Sequence, residues 1–388
     1  MTSDRNDKSS PINSPNGQNK DNDDAERSEF LFIYDTRMAN PNGDPDENRP
    51  RIDPYSGRNL VTEYRLKRTI RDYIKNHYGN NKNDKILIRE DLNADGTRQK
   101  FEQLAKLDID QTQGGRKGKN AIEVRKELVE EHIDVRLFGL MFLYAKKKRK
   151  SGNGDTESAR GETPQFKKLG PVQFAIGQSL NKVQEMLIRN TRVVPTLERG
   201  ARSGTFGEKS ILKYSLIVFH GFLNQLTAKL NIDDYPLTEN DVNKMMLAMW
   251  HGTNELNTSS KFGQVSRFLL RIIYSDPHGY IGDLDQKVIL TNSNDENIAN
   301  LSEADIDVGK LISTLTAHRK IIKKIQYACN DSMIVRSDEQ KDSENDKIIE
   351  NRKMQQKRSL REVLTEWSTS NEINIQCDDI LCPPQTNQ

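Results

Sequence analysis

Cysteine is nearly missing from this chain: three in 388 residues, Cys329, Cys377 and Cys382, with no C-x-x-C pair. A sparse, odd set excludes a disulfide framework and fits a reducing compartment. Histidine is scarce as well. Its six copies are dispersed without an H-E-x-x-H pair, and no G-x-S-x-G nucleophile turn occurs, so two common hydrolase patterns are excluded. No apolar run approaches the ~20 residues that span a bilayer, and the first residues are polar rather than signal-like. The expectation is a soluble protein of the cytoplasm. A large net charge is absent too: 59 Lys and Arg face 57 Asp and Glu. Affinity for a polyanion would therefore have to come from local segregation of charge. Apolar residues make up 34% of the chain and mean hydropathy is −0.82, which points to polar excursions around a smaller folded centre.

What is present is concentrated between Met38 and Asp72. A turn-rich loop, MANPNGDPDENRPRID, carries Pro41, Gly43, Pro45, Pro50 and, just past it, Pro54, and excludes helix or central strand. A helix follows, because Leu66, Ile70, Tyr73 and Ile74 fall at i, i+4, i+7 and i+8. Thr62 stands at its N-cap and Glu63 in the first turn, where the dipole favours a carboxylate. The polar side is basic: Arg65, Lys67, Arg68, Arg71 and Lys75. With Arg49 and Arg51 in the loop, these cations offer a seat for phosphates through counterion release. The structural alternative is a solvated face with Glu63–Lys67 and Arg68–Asp72 as i,i+4 pairs.

Along the rest of the chain, residues 1–27 are polar and read as a disordered tail. Phe30 to Tyr34 forms a strand whose aromatics, Phe30, Phe32 and Tyr34, share one face and are expected to be buried. Residues 79–169 form one insertion with a helix over Ala121–His132 and a basic run at Lys146–Lys150. Val172, Phe174 and Ile176 alternate as a second strand. Residues 190–212 project as a hairpin, Tyr214–Leu223 is a third strand, and Thr238-x-x-Asp241 opens a helix in the manner of a capping box. Val265–Tyr274 is a fourth strand, followed by a turn at Asp276–Gly279 into a short fifth. HRKIIKKIQY (318–327) reads as helix-like within a charged region, 291–370, and 371–388 reads as a second tail. Without the insertions the order is β-α-β-β-α-β, an α+β, ferredoxin-like (RRM-like) arrangement over 28–78, 170–189 and 213–290.

Two loops fail as sites. Asp44-Pro-Asp46-Glu-Asn48 begins like a calcium loop, but Arg49 takes the glycine position and Tyr55 that of the bidentate glutamate. Gly204 to Ser210 has the wrong spacing for a phosphate loop, with Glu208 between Gly207 and Lys209. No catalytic residue, metal site or cofactor is assigned.

Six ordered stretches, NPNGDPDENRPRID, LVTEYRLKRTIRDYI, DVRLFG, GPVQFAIGQSLNKV, GTFGEKSILKYSL and SSKFGQVSRFLLRIIY, span Phe30 to about Leu290. In them the chain strongly resembles the Cas-seven family, Csh-type branch: the RNA-binding backbone subunit of type I (I-B-like) CRISPR surveillance complexes, or Cascade. The resemblance implies a ferredoxin-like palm, a finger insertion (79–169) and a protruding thumb (190–212). It implies CRISPR RNA, adjacent copies of the chain, other Cascade subunits and guide-paired target DNA as partners, with no membrane. It favours Thr62, Lys67, Arg68 and Arg71, with Gln173, Gln178 and Ser179, as RNA contacts and leaves Arg65 undecided; Arg49, Arg51, Lys261 and Gln264 complete the candidate set. Arg192, Val193, Val194, Arg199 and Arg202 would then form a thumb that wedges the RNA or meets the next subunit. Two alternatives stay open: a metal-dependent RNase of the distantly related type III backbone, using Asp44 or Asp46, and a general single-stranded RNA-binding protein.

Overall fold

The computed structural model describes residues 24–44, 46–47, 49–89, 121–143, 165–191, 206–229, 236–337, 357–370 and 376–379. The fold is α+β. Its elements up to the middle of the chain are β1 (Ser28–Ala39), β2 (Arg58–Val61), α1 (Glu63–Tyr78), α2 (Ala121–Glu131), α3 (Ile133–Phe138), β3 (Gly139–Leu143), β4 (Gln165–Leu169), β5 (Val172–Phe174), β6 (Gly177–Lys182) and β7 (Glu185–Thr191). Then come β8 (Phe206–Leu223), α4 (Gln225–Lys229), α5 (Glu239–Asn254), β9 (Gln264–Tyr274), β10 (Ile289–Leu290), β11 (Ile306–Asp307), α6 (Gly309–Ala317), β12 (Ile322–Cys329), β13 (Ile334–Arg336), β14 (Arg358–Ser359), α7 (Leu360–Ser370) and β15 (Gln376–Asp379).

Strand β1 is the axis of the largest sheet, whose order is β15-β12-β9-β1-β8-β6-β2, with β5 and β7 also paired to β8. It runs antiparallel to both neighbours, Phe32 standing opposite Phe219 on one side and Leu269 on the other. Its continuous FLFIY run is explained by burial on both faces. Phe30, Phe32 and Tyr34 pack, as expected, under α1 and α5 with Leu66, Ile70, Val242 and Met245. Leu31 and Ile33, on the opposite pleat, join a second core with Phe268, Leu311, Leu364 and Trp367. Each such fully buried side chain contributes ~1.5–3 kcal/mol. The capping box of α5 is complete: Asp241 N donates to Thr238 Oγ1 and Thr238 N to Asp241 Oδ2, both at 3.2 Å.

The structure departs from the sequence expectation in five places. Residues 24–27, assigned to the tail, are packed: Ala25 is buried and its N–H donates to Leu237 O at 2.9 Å. Residues 206–212, assigned to the projecting loop, are the first part of β8 and pair with β7. The turn at Asp276–Gly279 is present, but the next strand begins only at Ile289. HRKIIKKIQY is a strand from Ile322 onward, paired to β9 with a register shift between Ile322 and Lys324. That irregularity lets Ile322 and Ile325, three apart, both face the core, and a spacing of three is what imitates a helix. Finally, residues 376–379, assigned to the second tail, add β15 in parallel to β12.

Candidate nucleic-acid interface

Near the end of β1 the chain turns through Met38, a non-glycine residue at φ 52°, and passes into the proline-rich loop. The loop is closed by Asp44 N to Arg49 O (2.7 Å) and Arg51 N to Asn42 O (3.3 Å). Asn40 N donates to Ser260 O (2.7 Å), which fastens its root to the turn before β9. Asp44 serves turn chemistry: Oδ1 accepts from Asp46 N at 2.9 Å, and Oδ2 lies 3.3 Å from Arg51 Nη1. Among the described residues no group of three His, Cys, Asp or Glu side chains is placed to hold a metal ion. Arg49 reaches the other way and forks onto Glu185 of β7 through two hydrogen bonds of 2.8 Å. That pair ties the loop to the sheet while leaving Arg49 exposed.

The cations of α1 divide by partner. Arg71 is committed inside the fold: its Nε donates to Asp134 Oδ2 at 3.0 Å, and Asp134 also accepts from Leu87 N and Ile88 N. That bond gives Arg71 a structural role within the fold. Arg68 pairs with Asp72 at 2.9 Å on the half-exposed side, as the i,i+4 reading has it. Lys67 is different. It is buried, 5.4 Å from the Phe138 ring centre, and among the described residues donates to the neutral Gln173 Oε1 (3.1 Å). Burial lowers its pKa, with the carboxylate of Glu63 acting weakly against this. Thr62 occupies the N-cap position without using its side chain as a cap.

Among the residues of the second strand region, Gln173 is exposed and Gln178 partly so. Ser179 is fully buried: its hydroxyl accepts from Asn59 N (2.9 Å) and donates to Asn181 O (2.5 Å). This buried hydroxyl holds β2 against β6.

The turn before β9 completes the site. Lys261 Nζ has only weak neutral acceptors, Asn40 O and Ser260 Oγ, both at 3.4 Å. Burial, with the like charge of Arg65 next, brings its pKa down to about 8. Arg65 itself donates to Thr69 Oγ1 at 3.1 Å, and its burial lowers its pKa too. Neither cation has an ion pair within 4 Å among the described residues. Below them four buried side-chain atoms lack a hydrogen-bond partner among the described residues: Thr36 Oγ1, Asn42 Nδ2, Arg51 Nε and Gln264 Nε2. An orphaned buried polar group costs ~1–3 kcal/mol, and these lie on the end of β1, its loop and the start of β9. Sequence reasoning singled out Lys261 and Gln264 but left Arg65 undecided and missed the exposed side chains beside them, Met38, Tyr64 and Phe262. The signal for Phe262 was the following Gly263, whose φ of 90° turns the chain sharply. The thumb residues Arg192, Val193, Val194, Arg199 and Arg202, and the run Lys146–Lys150, lie outside the described residues.

The family model for CRISPR-associated protein Cas7 matches residues 26–309. A CRISPR-associated protein Cas7 of Haloferax volcanii is 28% identical over 302 residues, covering 74% of this chain and 82% of that protein. Among solved structures, a chain of a CRISPR RNA-guided surveillance complex aligns at 13% identity and TM-score 0.42, covering 78% of this chain and 88% of that chain. Another, from a CRISPR RNA-guided surveillance complex, pre-nicking, aligns at 11% identity and TM-score 0.43, covering 78% and 92%. On the strength of a family match that spans most of its length, the chain belongs to the CRISPR-associated protein Cas7 family.

Proposed function

We propose that this chain is a non-catalytic backbone subunit that holds CRISPR RNA in a type I-B-like Cascade complex of the cytoplasm. The observation that carries the reading is the pair of half-buried cations at the loop end of β1, Arg65 and Lys261, neither of which has an ion pair within 4 Å among the described residues. Burying cations without counter-charge is costly, and a polyanion supplies the missing charge. Strands β9-β1-β8-β6 with α1 and α5 form the ferredoxin-like palm, residues 79–169 the fingers and 190–205 the thumb. Arg49, Arg51, Thr62, Lys67, Arg68, Gln173, Gln178, Lys261 and Gln264 are the RNA-facing set. Copies line up head-to-tail along one RNA, a heterologous interface that does not close. Other subunits complete the complex, and target DNA is recognised by pairing with the displayed guide.

The test is to purify the protein from its native host and sequence the nuclease-protected RNA that accompanies it. Repeat-derived ends joined to spacers, protected over most of their length, are expected. A random sample of transcripts, or none, overturns the reading. With purified components, log affinity is expected to fall against log salt by about 0.7 per phosphate neutralised.

A further inference from the structure

Three exposed apolar side chains neighbour the two uncompensated cations at this end of the sheet. Phe262 and Tyr64 are each 73% exposed and Met38 44%. Phe262 directly follows Lys261, and Tyr64 directly precedes Arg65. Strand pairing sets Thr36 opposite Gln264, and a Cβ on Gly263 would lie 3.9 Å from Arg37 O. Beneath lie Thr36 and Gln264, no more than 5% exposed, each with a polar atom that has no partner. Two neighbouring half-buried cations repel, the orphaned polar atoms cost energy, and bare rings in water gain nothing. A ligand with one anionic group and one flat apolar face relieves the first and the last together. A single-stranded nucleotide has both, since every base offers a π-face and every linkage a phosphate.

Resting on the RNA-holding reading above, we infer that Arg65 and Lys261 grip one phosphodiester and that the adjoining base stacks on Phe262. Each copy then has a fixed nucleotide seat, with Tyr64 and Met38 as its rim. Phe262 enters no hydrogen bond with its side chain and projects into solvent, so its removal leaves the fold intact.

The experiment uses the full chain and a short single-stranded RNA carrying 2-aminopurine at successive positions. One position per bound copy is expected to change fluorescence on binding. Phe262→Ala abolishes that change and weakens binding about tenfold, within the range for one lost base stack, while Phe262→Tyr keeps both. Lys261→Met lowers the salt slope by about 0.7, one phosphate contact. If Phe262→Ala retains the wild-type signal and affinity, the seat is wrong and the RNA-holding reading survives. If that variant binds RNA normally but no longer self-associates, the ring belongs to a contact between copies and the seat is likewise overturned. A wild-type chain that binds no RNA overturns both.

Discussion

The two ends of β1 carry charge in opposite ways. At its start, Arg271 is fully buried, yet its guanidinium donates to Ser28 Oγ, Gln326 Oε1 and both oxygens of Glu239, at 2.7–3.0 Å. Glu29 beside it accepts from Ile281 N (2.7 Å) and Gly282 N (2.9 Å), pairs with Tyr274, and lies 2.9 Å from His220 Nε2. At the other end, Lys261 has two long contacts to neutral oxygens, and four buried polar atoms have no hydrogen-bond partner among the described residues. A charge cluster that is fully satisfied within the chain is part of the scaffold. One that is left unsatisfied is where something else binds.

The contrast is most easily broken by mutation at the start of the strand. Arg271→Ala strips the counter-charge from Glu239 and is expected to cost ~3–5 kcal/mol of stability, read by denaturant unfolding. An Arg271→Ala protein as stable as wild type would remove the scaffold half of the comparison. Next in size is Lys261→Met. It is expected to weaken RNA binding about tenfold, the loss of one hydrogen bond to a charged group, while raising Tm, because a desolvated cation next to Arg65 disappears. A fall in both quantities would mean that Lys261 is structural. Thr238→Ala removes one half of the capping box at the satisfied end and is expected to cost ~1 kcal/mol with RNA affinity unchanged.

The smallest effects are two pH slopes of the same sign in separate windows, stability rising with pH in each. For Glu29 burial favours the neutral acid, but hydrogen bonds from His220, Tyr274, Ile281 and Gly282 win and hold its pKa below the ordinary 4.5. The stability this contributes is present above 4.5 and is lost as pH falls below it. Lys261 has a folded pKa of about 8 against an ordinary 10.5. Between those values the unfolded chain binds more protons, so this residue makes stability rise with pH there. RNA affinity falls through pH 8 as the ammonium is lost. Thermal melts and binding curves of wild type and Lys261→Met, taken across both windows, isolate the two contributions. A binding profile that is the same in both proteins would sink the assignment.

Much of the palm was legible because its signals are local. The helix from Glu63 follows from apolar spacing, the α5 cap from Thr238 and Asp241 three apart, and the buried aromatics of β1 from an apolar run too short for a helix. The strand Ile322–Cys329 was illegible because a bulge replaced its period of two with a spacing of three. Residues 24–27 and 376–379 look like tails by composition, since their order comes from partners more than 50 residues away or on another strand: Ala25 on Leu237, Gln376 beside Lys324.

The same division runs through the site. The sequence by itself determined that a proline-rich loop feeds a basic helix, and it named the cations. Only the tertiary structure decided which of them are spoken for. Arg71 meets Asp134, Lys67 meets Gln173 and Ser179 meets Asn59 across separations of 63, 106 and 120 residues. The reason is physical: a charge is compensated or not by what folding brings within a few ångströms of it, and that proximity is written in no local stretch of the chain.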